Sequence, residues 1–162
     1  MSQLIALVPL IYVVVIAIPL AVIDFKEHRL PNRFTLSAIA VTFSFLILSA
    51  FLTGQWLQFA VAAIYSTGTF LIGWWLAAKE GIGMGDVKLL VSLNAISGYF
   101  SPLLPLVGMT IGFLAATIVS GVRILLRKLS PSGAIALGPY LLTGFFLSVL
   151  PVAISTTAEA LS

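Results

Sequence analysis

Cysteine is absent from the 162 residues, and histidine occurs once, as His28. Without cysteine there is no disulfide, no thiolate nucleophile and no cysteine-held zinc. A lone histidine is too few for an ordinary histidine metal site, so neither a metal nor a cofactor is expected. Charge is the next scarcity. Charged residues make up 8% of the chain, where a soluble domain carries about 25%. Hydrophobic residues make up 60%, so the solvent for most of this chain is lipid. Acids are rarest of all: Asp24, Glu27, Glu80, Asp86 and Glu159. Linkers and low-complexity tracts are missing too. A single membrane-embedded domain over residues 1–162 is expected.

Apolar runs of about 20 residues are long enough to span a bilayer. The candidates are residues 4–23, 34–52, 57–78, 87–99, 103–126 and 135–154. The first lacks a basic leader region and is too long for the apolar part of a signal peptide, so it is read as a retained helix. Lys26, Arg29 and Arg33 lie between the first and second runs, and Lys79 and Lys88 around the link from the third to the fourth. Arg123, Arg127 and Lys128 lie between the fifth and sixth. All eight basic residues thus fall in alternate loops. The positive-inside rule puts those loops in the cytoplasm. The expected fold is an all-α, polytopic membrane bundle of about six transmembrane helices with both termini outward. Membrane lipid is a partner. Nucleic acid is not, because the positive charge is spread over short juxtamembrane loops that hold anionic headgroups.

Two runs carry further information. In the fifth, Gly108, Gly112, Ala116 and Ser120 recur every fourth residue, a packing seam for a closely approaching helix. That helix belongs either to this chain or to a second copy in a homo-oligomer. The fourth run is short. Residues 87–99 make only about 20 Å of helix at 1.5 Å per residue, against a hydrocarbon core of about 30 Å. Either the helix starts before Asp86 or one end lies below the membrane surface. Asp86 is then at or inside the boundary.

Topology brings Asp24, at the end of the first run, to the same membrane face as Asp86. An aspartate inside a membrane helix costs about 2.5–3.5 kcal/mol at the centre and less toward the ends, and such residues usually serve a wet cavity or a partner. The bland alternative is that each ends a helix and pairs with a nearby lysine. Close carboxylates do not both ionise easily and share a proton. One then acts as base on a water while the other, protonated, polarises a scissile carbonyl. Gly83 and Gly85 suit this role, because a backbone without side chains adopts φ > 0 and lets an extended substrate strand approach. Their bland reading is a helix-breaking turn. Lys88 is expected to reach the lipid headgroups. No serine–histidine or cysteine–histidine set is convincing.

Gly83-Met84-Gly85-Asp86, followed by Val87-Lys88-Leu89-Leu90, resembles the GxGD motif of the type IV prepilin peptidases. Asp24 followed by Arg29-Leu30-Pro31-Asn32 resembles that family's first aspartate and its Ile-Pro-Asn element, with Leu30 in place of isoleucine. Ala136-Leu137-Gly138-Pro139 is similar to a later Pro-Phe-Gly-Pro element, of which Gly138-Pro139 remain. The resemblance implies an aspartic endopeptidase of the cytoplasmic membrane of a prokaryote. It would cleave the basic leader from prepilins or pilin-like precursors at the cytoplasmic face. Asp24 and Asp86 would be catalytic, Gly83 and Gly85 would admit the substrate backbone, and Lys88, Pro31 and Asn32 would support them. Larger members add a cysteine-bearing zinc domain and N-methylate the new terminus. This chain looks like the short, peptidase-only form of Flp, or tight-adherence, pili, without methyltransferase activity.

Two other readings compete. Presenilin-like and signal-peptide-peptidase-like proteases share GxGD, but their first aspartate follows a tyrosine and a Pro-Ala-Leu motif comes later. Here Ile23 precedes Asp24, and no Pro-Ala-Leu occurs. A small transporter or channel subunit would use Asp24 and Asp86 as ion sites, but no acid falls in mid-membrane to continue a pathway.

Overall fold

The computed structural model describes residues 2–27, 30–79, 82–126 and 136–161, with side chains described for 5–155 of these. His28, Arg29, Glu80, Gly81, Arg127, Lys128, the start of the expected sixth run and the Glu159 side chain lie outside that description. A short 3₁₀ segment, Ser2–Leu7, leads into α1 (Val8–Glu27). Then come α2 (Asn32–Thr53), α3 (Trp56–Ala78), α4 (Met84–Phe100), α5 (Leu104–Leu125) and α6 (Gly138–Leu161). The described residues contain helices and no strands. Five stretches are long and apolar enough to cross a membrane: Ile5–Glu27, Asn32–Thr53, Trp56–Ala78, Leu104–Leu125 and Gly138–Ser155. The chain is therefore a multi-pass, all-helical membrane protein.

The exception, α4, has 17 residues and forms the centre. It packs against α2, α3, α5 and α6, and every residue from Leu89 to Tyr99 is buried. Its composition explains the position. Ser92, Asn94, Ser97 and Tyr99 interrupt the apolar run, and lipid offers such groups no hydrogen bonds. Inside the bundle, Asn94 Nδ2 donates to Thr69 Oγ1 at 2.7 Å. The Tyr99 hydroxyl donates to Ser49 Oγ at 3.0 Å. The other helices carry the lipid-facing surface in exposed residues such as Val15, Ile18, Phe51, Leu57 and Ile64.

The helix is longer than residues 87–99. Of the glycine stretch, Gly83 takes up extended backbone (φ −71°, ψ 138°), while Met84 and Gly85 join the first turn. The Val87 amide closes that turn onto the Gly83 carbonyl at 3.2 Å. At 1.5 Å per residue the helix reaches about 26 Å. Asp86 is thus the third residue of α4 rather than the residue before it.

Glycines set the spacing of the bundle. A Cβ on Gly73 would lie 2.6 Å from Val87 Cγ1, and one on Gly98 would lie 3.3 Å from Ala62 Cα. These contacts, with Ser66 Oγ bonded to the Val91 carbonyl at 3.2 Å, fix α3 and α4 antiparallel. The seam on α5 is filled from within the chain. Gly108 and Gly112 abut Ser148, Tyr140 and Leu141 of α6, and a Cβ on Gly144 would meet the Gly108 carbonyl and, at 2.6 Å, the Gly112 amide. The contact partner of the seam is α6.

Lys88 beside Asn32, Val87 beside Gly73 and Asp24 beside Gly138 locate one end of the bundle. There α1, α3 and α5 finish and α2, α4 and α6 begin. The described basic residues Lys26, Arg33, Lys79, Lys88 and Arg123 lie toward that end, as the alternating loops require.

Overpacking a close helix contact costs about 1–3 kcal/mol. Gly144→Ala is therefore expected to lower the melting temperature in detergent. Gly121→Ala, where a Cβ has nothing within 4 Å, is expected not to. Equal melting temperatures for the two variants would contradict the seam.

Candidate active site

Asp24 lies in the last part of α1 with 3% of its surface exposed. Its Oδ2 accepts the backbone N–H of Gly138 at 2.8 Å, a buried bond between the end of α1 and the first residue of α6. The first amides of a helix have no partner inside it, and its N-terminus favours negative charge. A carboxylate from a neighbouring helix meets both needs. Gly138 also leaves room for this bond, since a Cβ there would stand 2.8 Å from Asp24 Oδ2 and 3.3 Å from Leu30 Cδ2.

Asp86 occupies the third position of α4, and its Oδ2 lies close to Gly83, where a Cβ would stand 2.9 Å from it. An acid at this position commonly reaches back in this way to the residue that caps the helix. Its other oxygen, Oδ1, is buried and has no hydrogen-bond partner among the described residues. A buried acceptor left unpaired costs about 1–3 kcal/mol, and such an atom calls for an explanation in chemistry or ligand binding. Asp24 and Asp86 are near enough that the charge of Asp24 acts directly on Asp86. The fold thus gathers the acids from α1 and α4 at one place.

Leu30 aligns the parts. It is buried in the main core together with Leu20, Leu89, Leu90 and Leu141. Its Cβ would stand 2.7 Å, and its carbonyl oxygen 3.1 Å, from a Cβ on Gly85. One side chain therefore touches the starts of α4 and α6 beside Asp24. Pro31 caps α2 with φ −63°, and its carbonyl accepts the amides of Phe34 at 3.1 Å and Thr35 at 3.3 Å. Asn32 follows, and its Oδ1 takes a hydrogen bond from Lys88 Nζ at 2.7 Å.

Two expectations change. Gly83 does not adopt φ > 0; among the described glycines only Gly54 does, at 74°. Gly83 supplies room instead, because a Cβ would lie 2.9 Å from Asp86 Oδ2. Lys88 does not simply extend to headgroups. Parallel packing of α2 and α4 puts a neutral amide oxygen within its reach, and it bonds there. Gly138 and Leu30 were in view in the sequence motifs but carried no role. Besides the resemblance of Gly138-Pro139 to the later family element, the sequence signal for Gly138 was a glycine followed by Pro139, a residue suited to the first turn of a helix. Among the described residues, no group of three or more His, Cys, Asp or Glu gathers to hold a metal ion.

The family model of the type IV leader peptidases matches residues 11–157. The chain is 31% identical over 142 residues to a prepilin leader peptidase/N-methyltransferase of Aeromonas hydrophila, covering 83% of this chain and 46% of that protein. The same figures hold for one from Aeromonas salmonicida. The chain is 35% identical over 134 residues to leader peptidase HopD of Escherichia coli, covering 76% of this chain and 80% of that protein. It thus spans about half the length of the Aeromonas relatives. No solved structure shows a significant match.

A hydrogen bond to a charged acceptor contributes about 1.5–3 kcal/mol, a ten- to hundredfold change in a local opening equilibrium. Asp24→Ala is therefore expected to speed deuterium exchange at the Gly138 amide by about that factor. Asp24→Asn, which keeps an acceptor oxygen, is expected to retain most of the protection. Unchanged exchange in Asp24→Ala would contradict the bond.

Proposed function

Because the chain belongs to the type IV leader peptidase family, we propose that it is a membrane aspartic endopeptidase that removes the basic leader from prepilins or pilin-like precursors. The observation that carries this reading is the pairing of Asp24 with Asp86 at one end of the bundle, with Oδ1 of Asp86 left open among the described residues. The family match and the names of the relatives support the substrate class.

The pair works as one unit holding a single proton between its carboxyls. The unprotonated carboxylate takes a proton from a water, and the water oxygen bonds to the scissile carbonyl carbon. The protonated carboxyl gives its proton to the carbonyl oxygen. As the gem-diol intermediate collapses, the carboxyl that took the water's proton gives it to the departing amine, the C–N bond breaks, and the other carboxylate takes back a proton from one hydroxyl, so that the pair again holds one proton. The Gly138 amide keeps Asp24 from rotating away, and Leu30 holds the beginnings of α4 and α6 in register with it. This is positioning of the kind that removes the entropic part of a barrier.

The basic end of the bundle faces the cytoplasm by the positive-inside rule. Cleavage then occurs at that face of the cytoplasmic membrane of a prokaryote, with both termini outward. The 162 residues hold no cysteine. We assign them the leader peptidase reaction alone, in the form that serves Flp-type pili, and no methyl transfer.

Co-expression with candidate prepilins tests the reading. Asp24→Asn and Asp86→Asn are each expected to abolish leader removal while the protein still accumulates in the membrane. The product of the unmodified chain is expected to carry a free, unmethylated amino terminus by mass spectrometry. Normal cleavage by either variant would remove that aspartate from the mechanism.

A further inference from the structure

Asn94 stands in the second half of α4 and is 3% exposed. An amide at that depth needs partners that lipid does not supply. Its Nδ2 donates to Thr69 Oγ1 of α3 at 2.7 Å and to Met109 Sδ of α5 at 3.1 Å. Both amide hydrogens are then in use, and what Asn94 has left to offer is its acceptor, Oδ1. Ser97, one turn further on and 2% exposed, is in the same condition. Its hydroxyl donates to the Leu93 carbonyl at 2.7 Å, which leaves the lone pairs of Oγ.

Both residues line one cavity where α4, α5 and α6 meet. The other walls are apolar, with Leu93 from α4, Met109 from α5, and Leu141 and Phe145 from α6. The cavity has about 10 Å³ of room for the centre of a water-sized molecule, and a single water needs about that much. This size excludes an acyl chain or an amino-acid side chain. Chemistry narrows the choice further. The side chains of the wall present two free acceptors and no donor. A hard metal cation takes about six oxygen ligands, and neither a carboxylate nor so many oxygens are found among these side chains. Water is of the right size and brings two O–H donors.

We infer that this cavity binds one water molecule, which donates one hydrogen to Asn94 Oδ1 and the other to Ser97 Oγ. Two hydrogen bonds fall within the usual range for a buried water. The site is separate from the peptidase chemistry and does not rest on it. Asn94 is about 12 Å from Asp86 along α4 at 1.5 Å per residue. Leu90, itself part of the lining, stands between them on the same face of the helix. The water completes the hydrogen bonding of α4 where α3, α5 and α6 close around it.

Radiolytic labelling tests the site, because hydroxyl radicals formed from a bound water oxidise side chains that bulk water does not reach. The full chain in lipid nanodiscs is irradiated briefly with X-rays, and oxidation is mapped by mass spectrometry. Phe145, 3% exposed, is expected to be oxidised in the unmodified chain. Asn94→Leu removes one acceptor and fills the cavity, and is expected to lose most of that oxidation. Ser97→Ala removes the other acceptor at little cost in packing, so it decides the matter if Asn94→Leu does not fold. It is expected to lower oxidation of Phe145 as well. Thr110→Val, on an exposed part of α5, is expected to leave it unchanged. No oxidation of Phe145 in the unmodified chain overturns the site. So does oxidation that is as strong in Ser97→Ala as in the unmodified chain, since the radicals would then come from water entering along the helices.

Discussion

The buried hydrogen bond from the Gly138 amide to Asp24 joins two problems that a membrane bundle has to solve together. A carboxylate at the edge of lipid needs donors, and the first turn of a helix has amides with no acceptor. Here the end of α1 supplies the acceptor and the start of α6 supplies the donor. The bond ties the first helix of the chain to the last and fixes the orientation of an acid that α1 alone would leave free to rotate. The rest of the site follows from it. Leu30 fits between the starts of α4 and α6 only if Gly85 and Gly138 lack side chains, and that fit brings Asp86 to Asp24.

Glycine performs a different task at each level of this structure. In the interior of the bundle it lets α3 meet α4 and α5 meet α6 at backbone distance. At the site it makes room for carboxylate oxygens. Asp86 Oδ2 lies where a Cβ on Gly83 would crowd it, as Asp24 Oδ2 does at Gly138. Among the described glycines, left-handed backbone occurs only at Gly54, where α2 ends before a tight turn into α3. The motif that opens α4 is therefore a matter of space more than of flexibility.

Much of this was legible in the sequence. Hydrophobic length located the helices to within a few residues, and alternation of the basic residues identified which ends lie together. That was enough to bring Asp24 and Asp86 to the same end. The sequence was less informative where several elements converge. Glycines are ordinarily read as breakers, and the sequence left open whether α4 begins before Asp86; Met84 and Gly85 are helical, with Gly83 in extended backbone ahead of them. The partner of the α5 seam depended on which helix folds against it. The role of Gly138 depended on a contact between residues far apart in the chain. Periodicity along one helix carries no information about such contacts.

The central claim is that Asp24 and Asp86 act as one catalytic unit, and a comparison of residual rates tests it most directly. Single-turnover cleavage of a prepilin would be measured for Asp24→Asn, Asp86→Asn and the double variant. Groups that act together lose their whole contribution when either is removed. The account predicts that the double variant is no slower than the slower single one, within about twofold. A double variant slower by the product of the two single losses would show that the aspartates act independently, and would contradict it.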